Sequence, residues 1–239
     1  MNNSKLMYLS LLSLLTCVLL SQRVSIAETE VNVRADINNG KIIYDEGKGD
    51  AMACGGCHGE NALGMDATES PRMANIGQIY LIKQLDDYAA NKRVDPGAGE
   101  MMNDIAKALS KQDRIDVAAY LDSLAYITES SNLKELSSEG INVGSPKRGK
   151  AIMNEGIKPL IPACKDCHGI SGRATNIAAL HQQKYIYLVN QLNRYRDGSR
   201  SNDQEVDKNG IMRRIAKTLT NQNIADIAAY LSTFNSIAP

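Results

Sequence analysis

Two short stretches decide the fold of this chain: Cys54-Gly55-Gly56-Cys57-His58-Gly59 and Cys164-Lys165-Asp166-Cys167-His168-Gly169. Both have the form C-x-x-C-H, which is the attachment signature of a c-type haem. The two thiols add across the two vinyl groups of one porphyrin. The histidine that follows is then held under the iron, where a ring nitrogen can ligate it. The sequence therefore predicts two covalently bound haem c groups.

A single C-x-x-C-H motif has two other interpretations, half of a zinc site and a redox-active dithiol. The duplication favours haem, because a zinc site that drew on both copies would not require the same downstream residues to recur after each one. Composition agrees with this interpretation. The chain has ten Tyr, one Phe and no Trp, and a buried haem would supply flat apolar bulk to a core that is poor in large rings.

The N-terminus has the pattern of a secretory signal. Lys5 precedes an apolar run from Leu6 to Leu20, and Ser25-Ile26-Ala27 supplies small residues for cleavage after Ala27. We therefore predict a signal peptide over residues 1–27 and a periplasmic mature protein. The run is short for a membrane span, which needs about 20 residues, but an uncleaved anchor is the alternative. Cleavage leaves four cysteines, all in the two motifs, and none for a disulfide.

The charge balance excludes some classes of partner. The chain has 27 basic and 27 acidic side chains, and the predicted cleavage removes two basic residues and no acidic one. Nothing in this balance indicates nucleic acid or an anionic membrane surface as a partner. Peripheral membrane association is left open by the sequence.

The second half of the chain repeats the first. Residues 80–85 match residues 187–192, residues 105–110 match 215–220, and residues 117–121 match 227–231. Such a pattern indicates an internal duplication of one domain. We predict an N-terminal domain over residues 28–127, a linker over 128–146 that is rich in Ser, Glu, Asn and Gly, and a C-terminal domain over 147–239.

Hydrophobic periodicity predicts an all-α fold, since no stretch shows sustained strand alternation. In the first half, helices are expected at about 38–53, at 78–88 and at 101–109. A further helix is expected to run to Leu124 from an N-cap at Ser110, with Asp113 completing the cap. Tyr120 and Tyr230 occupy matching places in the last helix of each half and are expected to pack against the first helix.

The sixth ligand of each iron is predicted from its distance along the chain from the motif histidine. The chain has three histidines, so His181 could serve at most one haem. Met102 lies 44 residues after His58, and Met212 lies 44 residues after His168. A thioether stabilises the reduced iron, so these two methionines are the predicted axial ligands. Met101 matches Ile211 of the second half, and an isoleucine side chain cannot ligate iron.

The alternative for these two methionines is simple core packing, a common use of this flexible side chain. Their matched positions argue against it. Met65, Met73 and Met101 are expected to be packing or loop residues. His181 is expected to be exposed or hydrogen-bonded and not to ligate iron.

Together these residues resemble the dihaem cytochrome c4 family. The shared features are the C-x-x-C-H-G pair, the Tyr-Leu-x-x-Gln-Leu helix, the methionine before Ile-Ala-Lys-x-Leu-Ser/Thr, and the terminal Ala-Ala-Tyr helix. The resemblance covers nearly all of the mature chain. It implies two tandem cytochrome-c-like domains with their haems near the interface. It also implies a periplasmic electron carrier between respiratory donor complexes and a terminal oxidase or reductase.

The resemblance also implies how the ligand histidines are oriented. The family carries a proline before the Tyr-Leu helix whose carbonyl accepts a hydrogen bond from the ligand histidine. Pro71, nine residues before Tyr80, fits this role. In the second half the place nine residues before Tyr185 is Asn176, a substitution expected to change how His168 is held and to separate the two haem potentials.

Two classes of function are compatible with this pattern. The first is electron transfer without catalysis, in which both axial ligands are kept. The second is an enzyme or a subunit of one, either the cytochrome subunit of a periplasmic dehydrogenase or a dihaem peroxidase in which one haem loses its methionine. Matched methionines argue against the peroxidase, and no separate catalytic motif appears.

Overall fold

The computed structural model describes residues 34–169, 177–203 and 210–233. The predicted signal peptide over 1–27 lies outside these residues. The regular elements in the described part are helices, and β structure there is limited to three isolated bridges. The helices are α1 Ile37–Glu46, α2 Gly55–His58, α3 Gln78–Ala89, α4 Met101–Ala108, α5 Lys111–Ser123, α6 Leu133–Ser138, α7 Pro146–Glu155, α8 Lys165–His168, α9 Tyr185–Asp197, α10 Ile211–Thr218 and α11 Asn221–Thr233.

Each half is built around one close helix crossing, α1 on α5 and α7 on α11. A glycine allows each crossing. A Cβ atom added to Gly40 would lie 2.2 Å from the carbonyl oxygen of Asp116, and one added to Gly149 would lie 1.9 Å from that of Asp226. Any side chain would therefore separate the two helix backbones.

The remaining helices repeat between the halves. In the first half α3 packs on α4 and α5, and in the second half α9 packs on α10 and α11. Each half has its own hydrophobic core, so the predicted all-α duplication is confirmed. No helix in the described ranges is both long and apolar enough to cross a bilayer.

The helix boundaries follow the predictions with one exception. Helix α3 ends one residue later than expected, and the Ser110 hydroxyl and the Asp113 carboxylate form the predicted reciprocal cap of α5. The prediction that the first helix reaches residue 53 is wrong. It ends at Glu46, because Gly47 adopts φ +83° and its N–H bonds to the Ile43 carbonyl.

The predicted linker contains a helix that its composition did not indicate. Helix α6 is capped by the side chain of Asn132, which accepts from the N–H of Glu135. Its residue Leu136 belongs to the core of the second half. The Ser131 hydroxyl accepts from the N–H of Tyr185 at 3.0 Å. This segment is therefore tied to the second half, and the exact domain boundaries stay a prediction.

Candidate haem sites

His58 is held at the end of helix α2 in one defined tautomer. Its Nδ1 atom lies 3.1 Å from the carbonyl oxygen of Pro71. A carbonyl can only accept, so Nδ1 carries the hydrogen and Nε2 carries the lone pair. Burial lowers the pKa of the imidazole, and the hydrogen bond to Pro71 opposes that shift. The side chain is thus buried, oriented and suited to ligate a metal through Nε2.

His168 is held in the same way by a different residue from the one expected. Its Nδ1 atom lies 2.9 Å from the carbonyl oxygen of Ala178. The prediction that Asn176 is the second-half equivalent of Pro71 is therefore wrong. Tyr187, not Tyr185, matches Tyr80, and Ala178 lies nine residues before Tyr187. Asn176 itself lies outside the described residues.

The first cysteine of each motif is the N-cap residue of a one-turn helix, α2 or α8, and the second cysteine lies within that helix. The N–H of His58 bonds to the carbonyl of Cys54 at 3.0 Å, and the N–H of His168 bonds to that of Cys164 at 2.9 Å. In each motif the first cysteine is partly buried and the second is exposed. Burial raises the pKa of the Cys54 thiol to about 11 and also raises the pKa of Cys164. Residues three apart share a helix face, so one turn presents both thiols to the same side.

A cavity of about 810 Å³ opens in the first half. Cys54, Cys57, His58 and Met102 all line it. This volume lies within the usual range for a cofactor site, and such sites are mostly apolar. The apolar part of the wall includes Ile76, Leu81, Leu85, Ile105, Leu109, Val117 and Leu121. The size, the thiol pair and the oriented imidazole fit a covalently attached haem.

The two predicted axial methionines have matching places in the fold. Met102 is the second residue of α4 and Met212 is the second residue of α10, and both side chains are partly buried. Met73 and Met101 also line the first cavity, but Met101 is 46% exposed. The structure therefore brings Met102 into one cavity with His58 and puts Met212 at the equivalent position of the second half.

The zinc alternative finds no support in the described ranges, which include all four motif cysteines. There, no three side chains of the types His, Cys, Asp or Glu converge into a group that could hold a metal ion. The third histidine, His181, packs its ring against Tyr126 with centroids 5.5 Å apart. It does not line the first cavity.

The cavity wall also contains residues that sequence reasoning did not single out. Arg93 and Asp95 of the first half line it, together with Tyr187 and Arg194 of the second half. The duplication could have identified one of these residues. Arg93 follows Tyr88 by five residues, and Arg200 follows Tyr195 by the same distance.

Two helical domains, each with a hydrogen-bonded motif histidine beside a thiol pair, define a dihaem c-type cytochrome. The cytochrome c family profile matches residues 37–125 and again residues 146–235. The chain belongs to the cytochrome c family and, within it, to the dihaem cytochrome c4 group of electron carriers.

Two relatives illustrate the similarity. The chain is 33% identical over 211 residues to a thiosulfate dehydrogenase electron acceptor of Stutzerimonas stutzeri (strain A1501), covering 87% of this chain and 91% of that protein. It is also 33% identical over 190 residues to cytochrome c4 of Pseudomonas aeruginosa, covering 77% of this chain and 85% of that protein.

The solved structures that resemble this chain are likewise of two kinds, a cytochrome c4 and a thiosulfate dehydrogenase. Reduced recombinant cytochrome c4 from Pseudomonas stutzeri superposes with a TM-score of 0.64 at 28% identity, covering 84% of this chain and 100% of that one. Thiosulfate dehydrogenase TsdBA from Marichromatium purpuratum superposes with a TM-score of 0.68 at 25% identity and covers 83% of this chain. This chain spans only 40% of the length of that protein.

Proposed function

We propose that this protein carries electrons between redox proteins of the periplasm, with His58 and Met102 as axial ligands of one haem and His168 and Met212 as those of the other. The observation that carries the proposal is the first cavity, which both motif cysteines, the motif histidine and Met102 line together. When bound, each haem supplies an iron that changes oxidation state by one electron.

The residues around each site suit a carrier more than a catalyst. The carbonyls of Pro71 and Ala178 hold the two imidazoles in the tautomer that leaves Nε2 free to ligate. A methionine thioether favours reduced iron and so raises the reduction potential. The wall of the first cavity is mostly apolar, so few polar groups need to rearrange when an electron arrives. With a methionine in the sixth position, no coordination site is left for a substrate.

The ligand assignment is tested by optical spectroscopy of the haem-loaded protein. The oxidised protein should show a methionine–iron charge-transfer band, and the reduced protein should not bind carbon monoxide rapidly at neutral pH. Met102→Ala and Met212→Ala should each lose part of the band and gain CO binding, and the double variant should lose all of it. Met101→Ala is the matched control, because it alters the neighbouring residue of the same helix. A band that survives Met102→Ala but not Met101→Ala would overturn the assignment.

A thiosulfate dehydrogenase is a second candidate for the electron donor. It is favoured by the similarity, over 87% of this chain, to a protein described as the electron acceptor of that enzyme. The purified oxidised protein should then be reduced when thiosulfate and the dehydrogenase are both present, and should stay oxidised with thiosulfate alone. If an active dehydrogenase does not reduce the protein, this candidate is wrong. The proposed partners are then a respiratory donor complex and a terminal oxidase or reductase.

Export is proposed from the sequence of residues 1–27 alone. Mass spectrometry of the protein purified from its own cells should report a chain that begins at Glu28 and carries two haem groups. Cell fractionation should recover it with periplasmic proteins. A chain that retains its apolar N-terminal run and sediments with membranes would establish the anchored alternative.

A further inference from the structure

The two halves of the chain meet through buried polar contacts. Nη2 of Arg93 in the first half donates to Oε1 of Gln191 in the second half at 3.1 Å, and both residues are buried. The carboxylate of Asp95 lies 3.6 Å from the guanidinium group of Arg194 across the same interface. Buried polar groups keep their partners, so these contacts fix how the halves pack. Each half can therefore supply contacts to the haem site of the other.

The peptide unit between Pro71 and Arg72 has a partner on each side. Its carbonyl oxygen accepts the hydrogen of Nδ1 of His58 at 3.1 Å. Its N–H, which belongs to Arg72, donates to Oε1 of Gln183 in the second half at 2.7 Å. Because a trans peptide unit is planar, its C=O and N–H point in opposite directions. A contact that holds the N–H therefore also sets the direction of the carbonyl that orients His58.

The side chain of Gln183 binds the backbone of Arg72 at two points. Besides accepting from the N–H, its amide donates through Nε2 to the Arg72 carbonyl at 2.9 Å. Its Oε1 also accepts from the N–H of Lys184 at 2.9 Å, which holds the amide from its own side. Gln183 is 4% exposed and Arg72 is fully buried. Loss of the amide would therefore leave buried backbone groups of Arg72 without these partners, which is costly.

The loop that contains this peptide unit is tied to the second half at another point. Oδ1 of Asp66 accepts from the N–H of Ile186, in the first turn of α9, at 2.9 Å. Residues 67–71 of the same loop line the first cavity. The segment 183–186 of the second half therefore holds the loop that forms one wall of the first haem site.

The second haem site shows the reciprocal arrangement. The carbonyl of Ala178 accepts from Nδ1 of His168 at 2.9 Å. The N–H of the same peptide unit, which belongs to Ala179, donates to the carbonyl of Ile76 in the first half at 3.1 Å. Each half thus holds the N–H of the peptide unit whose carbonyl orients the motif histidine of the other half.

We propose that Gln183 is a positioning residue for the iron ligand of the other half. By holding the N–H of Arg72, it keeps the Pro71 carbonyl directed at Nδ1 of His58. The imidazole is thereby kept in the orientation and tautomer that leave Nε2 free to ligate. Asp66 supports this role by holding the same loop. The inference rests on the proposed function, because it takes His58 as an axial ligand.

The competing explanation is that the first half fixes this loop without help. The N–H of Met73 donates to the carbonyl of Ala62 at 2.8 Å, and Nε of Arg72 donates to the carbonyl of Ala74 at 3.0 Å. In that case Gln183 would contribute only to the stability of the interface. Its loss would then affect the two motif histidines equally.

Hydrogen exchange of the two ligand histidines tests the inference. Low-spin reduced iron is diamagnetic, so NMR of the reduced, haem-loaded protein can follow exchange of each Nδ1 hydrogen with deuterium. The measured quantity is the exchange rate for His58 divided by that for His168. Gln183→Met removes the amide and keeps the length of the side chain. It should raise this ratio about tenfold, because the carbonyl that protects the His58 hydrogen is no longer held.

The ratio separates positioning from stability. A variant that only lowers the free energy of global unfolding speeds exchange of both hydrogens and leaves the ratio unchanged. Ser131→Ala is the matched control. The buried Ser131 hydroxyl accepts from the N–H of Tyr185 at 3.0 Å, a contact close to Gln183 that does not include the loop of the first site. This variant should leave the ratio within about twofold of the wild-type value.

The outcomes distinguish this inference from the proposed function. An unchanged ratio in Gln183→Met, with the methionine–iron band intact, would refute the positioning role and leave the proposed ligation standing. If Gln183→Met does not fold, Asp66→Ala decides. Releasing that second tie should raise the ratio, and an unchanged ratio would again refute the role. Absence of the methionine–iron band in the wild-type protein would instead refute the proposed ligation.

Discussion

The Nδ1 atom of His58 lies 3.1 Å from the backbone carbonyl oxygen of Pro71. Because the acceptor belongs to the main chain, the hydrogen bond depends on the path of the loop and not on the pyrrolidine ring. The second half gives the same result with an alanine, since His168 bonds to the carbonyl of Ala178 at 2.9 Å.

Replacing the proline should therefore leave the ligand histidine in place. Pro71→Ala is expected to retain haem and the methionine–iron band, and to lower the free energy of unfolding by only about 0.4–1 kcal/mol, because the unfolded chain becomes more flexible. Denaturant unfolding and the oxidised spectrum check this. His58→Ala is the contrasting variant and should lose the band. Loss of the band in Pro71→Ala would mean that the ring itself positions the imidazole.

The two helix crossings should not tolerate a methyl group. Gly40→Ala and Gly149→Ala each place a Cβ atom within 2.2 Å of a backbone oxygen, so the helices must move apart. Overpacking of this kind costs about 1–3 kcal/mol or more, measured as a lower denaturant midpoint of the haem-loaded protein. Gly56→Ala is the matched control, because nothing lies within 4 Å of its added Cβ atom. Equal midpoints for all three variants would contradict the crossing geometry.

The cap of α5 should contribute measurably to stability. Ser110 and Asp113 satisfy each other's backbone N–H groups, and replacing such an N-cap residue by alanine costs about 1 kcal/mol. Ser110→Ala should show this loss in equilibrium unfolding. Thr220→Ala should show a similar one, because Thr220 and Asn223 form the same reciprocal pair before α11. Lys111→Ala, in the first turn but outside the cap, should change the midpoint little.

Acid should weaken the interface between the halves. The pKa of Asp95 is about 2 in the folded protein and about 3.9 in an unfolded chain. A depressed carboxylate pKa contributes stability that is present above about pH 4 and is lost as the pH falls toward about 2. The contribution is about 2 kcal/mol. Arg93, Arg194 and Arg200, which face the carboxylate, stay charged throughout this range.

The measurement is the free energy of unfolding of the haem-loaded protein between pH 5 and pH 2, with and without Asp95→Asn. The variant should be less stable at neutral pH and should show a smaller slope in the acid range. A slope equal to that of the wild-type protein would mean that other carboxylates account for the acid sensitivity.

Local features were predictable from the sequence, and long-range ones were not. The reciprocal cap of α5 and the limits of α3 follow from residues close together in the chain. The early end of α1 at Glu46 is also a local feature, but the prediction missed it because a glycine does not by itself show that it adopts a left-handed conformation. The acceptor for His168 was misassigned because the count began at Tyr185 and not at Tyr187, the tyrosine that matches Tyr80. Helix α6 was missed because its short polar sequence packs through only two leucines, the buried Leu136 and the partly buried Leu133.

By itself, the sequence determined the cofactor and its number, the helical duplication and the class of protein, because covalent haem attachment depends on the spacing of a few adjacent residues. Only the tertiary structure decided which carbonyl holds His168 and which charges surround the first cavity. Arg93 and Gln191 are 98 positions apart in the chain, and no local pattern predicts that pairing. Their contact exists because two packed domains bury the same polar surface together, where each buried donor must find an acceptor.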